Sequence, residues 1–440
     1  MRVVSAIIVF NFIFFLIFTV CLTYQAFYIL VGLFRKPRTY EATTYHRFAA
    51  ITCGRNEAGV IAQLIQSLKD QDYPADMLDI YVVADNCTDN TAIIAEQAGA
   101  TVFRRNNKTL VGKCYALDYA LNRILTEYAD RNYEGFFVFD ADNLVDRGFV
   151  KAMNAAYDNG EQILTSYRNT KNYGSSWISA GCSLWFLREA RYLSYSRSVL
   201  GTSCLIGGTG FMVSAQIIKE NGGWPFTTLT EDIEFSVSSV ARGYKIGYCH
   251  DAIIYDEQPE TLQTAWNQRL RWSKGFYQVL YRYWTKLAAG IKNGFKRDCE
   301  GAITPAKAGA RRFGCYDVLM TISPLMVLTF TSLCVNIAWL IAVALGMPAD
   351  PEAVQLTAGG LVMSLTGTYL MFFALGSLTL ITEHGRVRAT RGQLVRSVFT
   401  FPIFMFLQIP ISVQALFAKV TWKPIAHTVN VSIDQLAAGK

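Results

Sequence analysis

Residues 135–143 read GFFVFDADN, five positions without a polar side chain followed by two aspartates one position apart. A short apolar run that stops at acids is the pattern of a buried strand. Alternate positions of an extended chain project to one side, so Asp140 and Asp142 can share one divalent cation, or a cation and a sugar hydroxyl. Toward the N-terminus the same pattern repeats: FAAITCG from Phe48 with a helix over 57–70, DIYVVAD ending at Asp85 with a helix from about Thr88, then GATVF with a helix over about 112–128. Strands alternating with amphipathic helices predict an α/β domain, a mostly parallel sheet with flanking helices on both faces. Ligands of such sheets bind beyond the carboxyl ends of the strands. Asp85 stands at one such end, in VVADNCTDNT, where Asx-turn chemistry and an N-cap by Thr88 or Asp89 account for the acid equally well.

Toward the C-terminus the pattern is irregular until LIGGTGFMVSA (205–215) and TLTEDIEF (228–235). Gly207 to Gly210 offer either close backbone approach to a ligand or a simple turn. Thr230 suits an N-cap, and Glu231 and Asp232 suit a first helical turn, where the helix dipole favours carboxylates. A helix starting at Pro259 carries QRLRW (268–272). At about 100° per residue it places Gln268, Arg271 and Trp272 on one face. An amide and a planar guanidinium there can hold diphosphate oxygens, and an indole can stack on a sugar. An amphipathic helix merely anchored in lipid headgroups has the same composition.

The remainder of the chain is a membrane pattern. Of 440 residues 52% are hydrophobic and only 17% charged, with a mean hydropathy of +0.21, greasier than a soluble domain. Apolar segments at 6–34, 318–345, 361–381 and 398–417 are candidate spans. The first leads into RKPR (35–38) rather than a small-residue cleavage site, so a retained anchor is expected in place of a signal peptide. Basic residues mark the cytoplasmic side; RKPR and the basic stretch 384–396 then lie inside, and 346–360, without Lys or Arg, outside. If 398–417 crosses, Lys419 and Lys423 fall outside against this rule, while Pro402 and Pro410 permit a re-entrant or interfacial course. The net charge of +7 gathers in a belt of Lys286, Lys292, Lys296, Arg297, Lys307, Arg311 and Arg312, suited to anionic membrane lipid. No aromatic-interleaved basic groove accompanies it, which argues against nucleic acid. The ten cysteines are dispersed without CxxC, as expected of reduced thiols. The expected division is an N-terminal transmembrane anchor (1–38), a cytosolic catalytic domain (39–257), interfacial helices (258–316), a C-terminal helical membrane bundle (317–418) and a tail (419–440) whose WKPIAHTVN has no assigned role.

As an ordered set, a strand-end Asp85, the DxD of Asp140 and Asp142, the TED of 230–232 and the QxxRW of 268–272 resemble the family 2 processive membrane glycosyltransferases. That group includes cellulose, chitin, hyaluronan and poly-N-acetylglucosamine synthases. The resemblance runs from about Phe48 to about Gly275 and implies a GT-A type fold. It further implies a UDP-sugar donor, a divalent metal (Mg2+ or Mn2+) and an inverting hexosyl transfer that extends a β-linked polysaccharide through the membrane. Glu57 and Asp85 then look like uracil and ribose contacts, and Lys113, Asp140, Gln268 and Arg271 like the rest of the nucleotide site. The resemblance further implies that Asp142, with Asp140 beside it, is the better candidate for direct metal coordination and that Asp232 is the general base. Gly208, Thr209, Glu231 and Trp272 would meet the acceptor. Ceramide glucosyltransferases have a comparable motif order, so transfer of one sugar to a membrane lipid is the alternative. A multi-pass plasma-membrane protein with a cytoplasmic catalytic domain follows, with homo-oligomer formation left open.

Overall fold

The computed structural model describes residues 2–293, 308–421, 427 and 429–438; Lys296, Arg297, Lys307, Trp422 and Lys423 lie outside them. Helix α1 (Arg2–Phe34) leads to β1 (Phe48–Gly54), followed by α2 (Ile61–Lys69), β2 (Leu78–Asp85), α3 (Thr91–Gln97), β3 (Thr101–Arg105), α4 (Lys113–Glu127) and β4 (Gly135–Phe139). β1 pairs in parallel with β2 and β4, and β2 with β3. Alternate residues of β1 and β4 enter two cores: Ala49, Ile51, Phe136 and Val138 pack with Leu117 of α4, while Phe48, Ala50, Phe137 and Phe139 pack with Leu64 of α2. Both faces are covered, so these strands read as unbroken apolar runs. Helix α3 begins at Thr91 because Asp89 accepts the Thr91 N–H (3.0 Å), three residues beyond the expected start.

The expectation of a mostly parallel sheet holds for this half only. β5 (Leu144–Val145), α5 (Phe149–Asp158), β6 (Ile163–Thr170), α6 (Trp177–Arg188), α7 (Tyr195–Leu200), β7 (Phe211–Ser214), α8 (Ala215–Asn221), α9 (Glu231–Ala241) and β8 (Gly247–Asp256) complete the domain. The eight strands lie in the order β3-β2-β1-β4-β7-β6-β8-β5. β7 is antiparallel to β4 and β6, and β5 to β8, so the sheet is mixed. The Gly207–Gly210 turn is the reason: Gly210 N–H bonds Val138 O at the carboxyl end of β4, and the chain leaving it can only run back along that strand.

Helix α10 (Leu262–Asn293) carries the QxxRW residues. It starts at Leu262 rather than Pro259, because the Thr261 hydroxyl accepts the Thr264 N–H in the manner of an N-cap. Then come α11 (Ala308–Ile322), α12 (Leu325–Ala344), α13 (Pro351–Glu383), α14 (Arg391–Phe406), α15 (Gln408–Phe417) and the short α16 (Ile433–Ala438). Among the described residues, four helical stretches are long and apolar enough to cross a membrane: α1, α12, α13 and the α14–α15 pair. The last differs from the others. At its start Gln393 donates to Gly174 O (2.9 Å) of the α/β domain. Along its length Arg269 of α10 donates to Phe404 O (2.9 Å) and Gln408 Oε1 (3.0 Å), and Trp266 to Gln414 Oε1 (2.7 Å). Beyond its end His427 lies against Glu57. Because both ends of this segment touch one domain, we propose an interfacial course for it, which would leave Lys419 on the domain's side in keeping with the positive-inside rule.

A sidedness experiment follows. Cysteines introduced as Ala349→Cys, between α12 and α13, and Gln435→Cys, in α16, are expected to react with a membrane-impermeant maleimide from opposite faces of sealed vesicles. Labelling of both from one face contradicts the interfacial course.

Candidate active site

A cleft of about 260 Å³ opens at the carboxyl ends of β1 and β4. β4 ends at Phe139 and delivers Asp140 and Asp142 into it. Asp140 is ion-paired with Lys113, whose Nζ also donates to Gly208 O (2.7 Å). Burial opposes the charge on Asp140, but the ammonium beside it holds the carboxyl below the ordinary range. Asp142 is buried and its Oδ2 accepts the Glu257 N–H (2.8 Å). The two aspartates thus keep different protein partners while sharing the cleft.

The opposite wall is α9. Glu231 and Asp232 occupy its first turn, where the orphan N–H groups favour negative charge. Thr230 holds the N-cap position, yet its hydroxyl makes no cap bond and is buried without a partner. The carboxylate that secures this corner is Glu234, which accepts the N–H groups of Thr227 (3.0 Å) and Thr228 (2.9 Å). Burial, and then the neighbouring Asp232, push Glu231 up to about 7. Asp232 is also raised by burial, against the pull of Arg271 and Lys113. Gly208 has φ +83°, and a Cβ there would meet Asp232 Oδ2 at 3.2 Å, so this position favours glycine on both backbone and space.

From the third side α10 presents Gln268, Arg271 and Trp272 to the cleft. Arg271 donates to Leu229 O (2.8 Å), tying α10 to the loop before α9. Gln268 Oε1 is buried without a partner, a polar group set to take one from a ligand. Trp272 meets Phe186 edge-on at 6.2 Å.

Two expected contacts are placed elsewhere. Asp85 does not line the cleft: it is buried against Arg105 (2.5 Å), whose Nη2 donates to Leu110 O (2.7 Å) and so braces the loop that leads to Lys113. Thr209 lies behind Asp140, its hydroxyl accepting the Asp140 N–H (2.9 Å) and donating to Asn143. Glu57 does line the cleft, paired with His427 Nδ1 (3.1 Å). Burial works against a charge on His427, but the bond to Glu57 and the nearby Asp142 push its pKa up to about 9.

The tail is therefore part of this site. Val429 N–H bonds Glu257 Oε2 (2.9 Å), Val429 O accepts from Lys171 (3.1 Å), and Leu436 of α16 packs on Leu144 and Tyr255. Arg168, Asp256, Glu257 and Phe186 also line the cleft without belonging to any expected motif. For Asp256 and Glu257 a signal existed: IIYDEQ (253–258) is another apolar run ending in acids.

Comparisons with known proteins agree with this geometry. Residues 135–348 match the model of glycosyl transferase family group 2. A beta-monoglucosyldiacylglycerol synthase from Synechocystis is 27% identical over 254 residues, 56% of this chain and 51% of that protein. A poly-beta-1,6-N-acetyl-D-glucosamine synthase from Staphylococcus epidermidis is 24% identical over 242 residues, 53% of this chain and 55% of that protein. The chain spans about half the length of these curated relatives. A mannosyltransferase from Pyrobaculum calidifontis, solved with GDP-Man and Mn2+, has a TM-score of 0.57 at 17% identity, covering 94% of this chain and 99% of that one, a likeness of fold. The GT-A type architecture expected from the sequence is the one observed.

Proposed function

We propose that the chain, whose residues 135–348 match the model of glycosyl transferase family group 2, is an inverting hexosyltransferase that uses a UDP-sugar, with its catalytic domain on the cytoplasmic face of the membrane. The observation that carries this reading is convergence: Asp140 and Asp142, Glu231 and Asp232, and Gln268, Arg271 and Trp272 come from three distant stretches and line one cleft.

A divalent metal fits the donor set. The lining has eight carboxyl groups against four lysine and arginine side chains and His427, before any diphosphate adds its own negative charge. Among the described residues no three His, Cys, Asp or Glu side chains are grouped to hold an ion alone. That suits a cation bound by one or two carboxylates and completed by phosphate oxygens. Asp142 and Asp140 would hold it, and when bound it supplies Lewis-acid neutralisation of the leaving diphosphate. Lys113 and Arg271 stabilise the same developing charge, and Gln268 orients the donor. Glu57 contacts the nucleotide, with His427 fixing its carboxylate. Asp232 removes the proton of the acceptor hydroxyl as that oxygen attacks the anomeric carbon opposite the leaving group, inverting an α-linked donor to a β-linked product.

Asp232 must be ionised to do so, so transfer falls as pH drops through its raised pKa. The acid limb of the rate profile is expected nearer neutrality than the value of about 4 for a free carboxyl. In Glu231→Gln the limb is expected to stay in place, because Glu231, which burial and the charge on Asp232 push up to about 7, is already neutral where Asp232 titrates. A pH–rate profile of UDP release checks this; a limb that moves with Glu231→Gln would make Glu231 the titrating base.

Two acceptors suit the site. Extension and export of a polysaccharide requires helices that enclose a polymer. The second reading is transfer of a single sugar to a lipid hydroxyl at the membrane surface, supported by the likeness to a beta-monoglucosyldiacylglycerol synthase. The full chain in membranes, given radiolabelled UDP-glucose or UDP-N-acetylglucosamine, decides between them: one organic-soluble product supports the lipid acceptor, and a ladder of water-soluble lengths supports polymer extension. No UDP release from either donor overturns the reading of a UDP-sugar transferase.

A further inference from the structure

Arg168 belongs to none of the motifs above, yet its guanidinium is built into the wall between the proposed base and the proposed acceptor platform. In β6 every residue is buried except this one, whose side chain is 19% exposed to the cleft. Its Nε donates to Asp256 Oδ2 (2.5 Å), and Asp256, 3% exposed at its side chain, is fixed in turn by Gln258 Nε2 on its other oxygen (2.7 Å). The guanidinium lies over the Phe186 ring at 3.9 Å, and Nη1 donates to Gly207 O (3.0 Å). Each contact leads onward. Gly207 precedes Gly208, whose own carbonyl is held by Lys113 and whose Cα backs onto Asp232. Phe186 meets Trp272 edge-on.

We propose that Arg168 is the positioning residue of the acceptor subsite, holding the Gly207–Gly208 turn beside Asp232 and the Phe186–Trp272 wall in one fixed relation. Two cations on two successive glycine carbonyls pin the turn at both peptides. A planar fork is suited to this task because it can bond Asp256 and Gly207 in its plane and stack on Phe186 with its face; a lysine ammonium cannot do both. With its fork on Asp256 and one face on Phe186, Arg168 is poorly placed to take the donor diphosphate as well, which leaves that charge to Lys113 and Arg271. The role is therefore to set where the acceptor hydroxyl sits relative to the base, a geometry in which small displacements are costly. This rests on the hexosyltransferase reading, and the experiment separates the two.

The full chain is purified in detergent as wild type, Arg168→Ala, Arg168→Lys, Trp272→Ala and the Arg168→Ala/Trp272→Ala double variant. It is assayed with UDP-glucose and UDP-N-acetylglucosamine as donors, and with dioleoylglycerol in mixed micelles and chitotetraose as acceptors. For the pair that wild type turns over, Arg168→Ala is expected to raise the acceptor KM about tenfold, while the donor KM stays within about twofold. Arg168→Lys is expected not to restore the acceptor KM. The double variant is expected to lose little beyond the larger single loss, because both changes act on one wall. Phe186→Leu, which leaves the Arg168–Asp256 pair intact, is expected to raise the acceptor KM in the same direction and serves if Arg168→Ala does not fold. A rise in donor KM with acceptor KM unchanged would make Arg168 a donor ligand and overturn the proposal, as would full additivity of Arg168→Ala with Trp272→Ala or an unaltered acceptor KM in Phe186→Leu. Absence of UDP release from wild type overturns the transferase reading itself, and the proposal with it.

Discussion

Asp232→Asn is expected to reduce sugar transfer by about 10³-fold, with binding of the nucleotide donor held within about twofold of wild type. The substitution conserves shape and removes only the ability to accept a proton. Asp232 contacts the cleft from the first turn of α9, and its carboxylate faces Gly208 across a gap too narrow for a larger residue. The fold at this corner is secured by Glu234 through Thr227 and Thr228, so neutralising Asp232 leaves the loop's hydrogen bonds in place. In the proposed site the donor's diphosphate meets Lys113, Arg271 and a cation that Asp140 and Asp142 would hold, and none of these side chains bonds the Asp232 side chain, which is why donor affinity should survive. Calorimetry with UDP and radiolabelled product formation on the same preparation measure the two quantities separately. Glu231→Gln is the control: a loss confined to acceptor use is expected, and if Glu231→Gln abolishes transfer while Asp232→Asn does not, the base is Glu231.

What the sequence makes legible depends on how tightly each function is packed into one element. Asp140 with Asp142, Glu231 with Asp232, and Gln268 with Arg271 and Trp272 each ride on a single strand end or helix face, where the periodicity of the element declares their common direction. Arg168, Phe186 and His427 are single residues from three other elements, and nothing local distinguishes them from a polar strand position, a core aromatic or a tail histidine; only the crossing of β6, α6 and the C-terminal segment at the cleft gives them a role. Asp85 illustrates the reverse. Its place at a strand end looks like a ligand position, but Arg105, its register partner on β3, takes its charge. The first half of the sheet is legible because each helix is followed directly by the next parallel strand. The order of β5 to β8 is not, since β7 is inserted between β4 and β6 by the tertiary bond from Gly210 to β4. The α14–α15 pair has the apolar content of a span; its polar residues Gln408, Ser412 and Gln414 matter only once α10 is known to lie against them.

The largest effect on stability is expected at Asp317, far from the chemistry. Its side chain is 0% exposed and gathers four hydrogen bonds: Arg197 Nε (2.7 Å) and Nη2 (2.8 Å) from α7, and the hydroxyls of Tyr24 (2.9 Å) and Tyr28 (2.7 Å) from α1. One carboxylate on α11 therefore joins the N-terminal helix α1 to α7 of the α/β domain. Arg197 is itself 1% exposed, so Asp317→Ala leaves a buried guanidinium without its counter-charge. Breaking such a pair from one side costs about 3–5 kcal/mol, a large share of the roughly 5–15 kcal/mol by which domains are stable. Arg197→Met should cost less, since Asp317 keeps two phenol donors and loses only the cation. The double variant Arg197→Met/Asp317→Leu should regain most of the loss, because the expense lies in the unpaired charge rather than in the absence of the pair. Thermal unfolding of the full chain in one detergent, followed by its tryptophan fluorescence, orders the variants. The expected sequence runs from wild type and the double variant, through Arg197→Met, to Asp317→Ala as the least stable. A melting temperature of Asp317→Ala equal to wild type would mean that α1 is held to the domain by apolar packing alone.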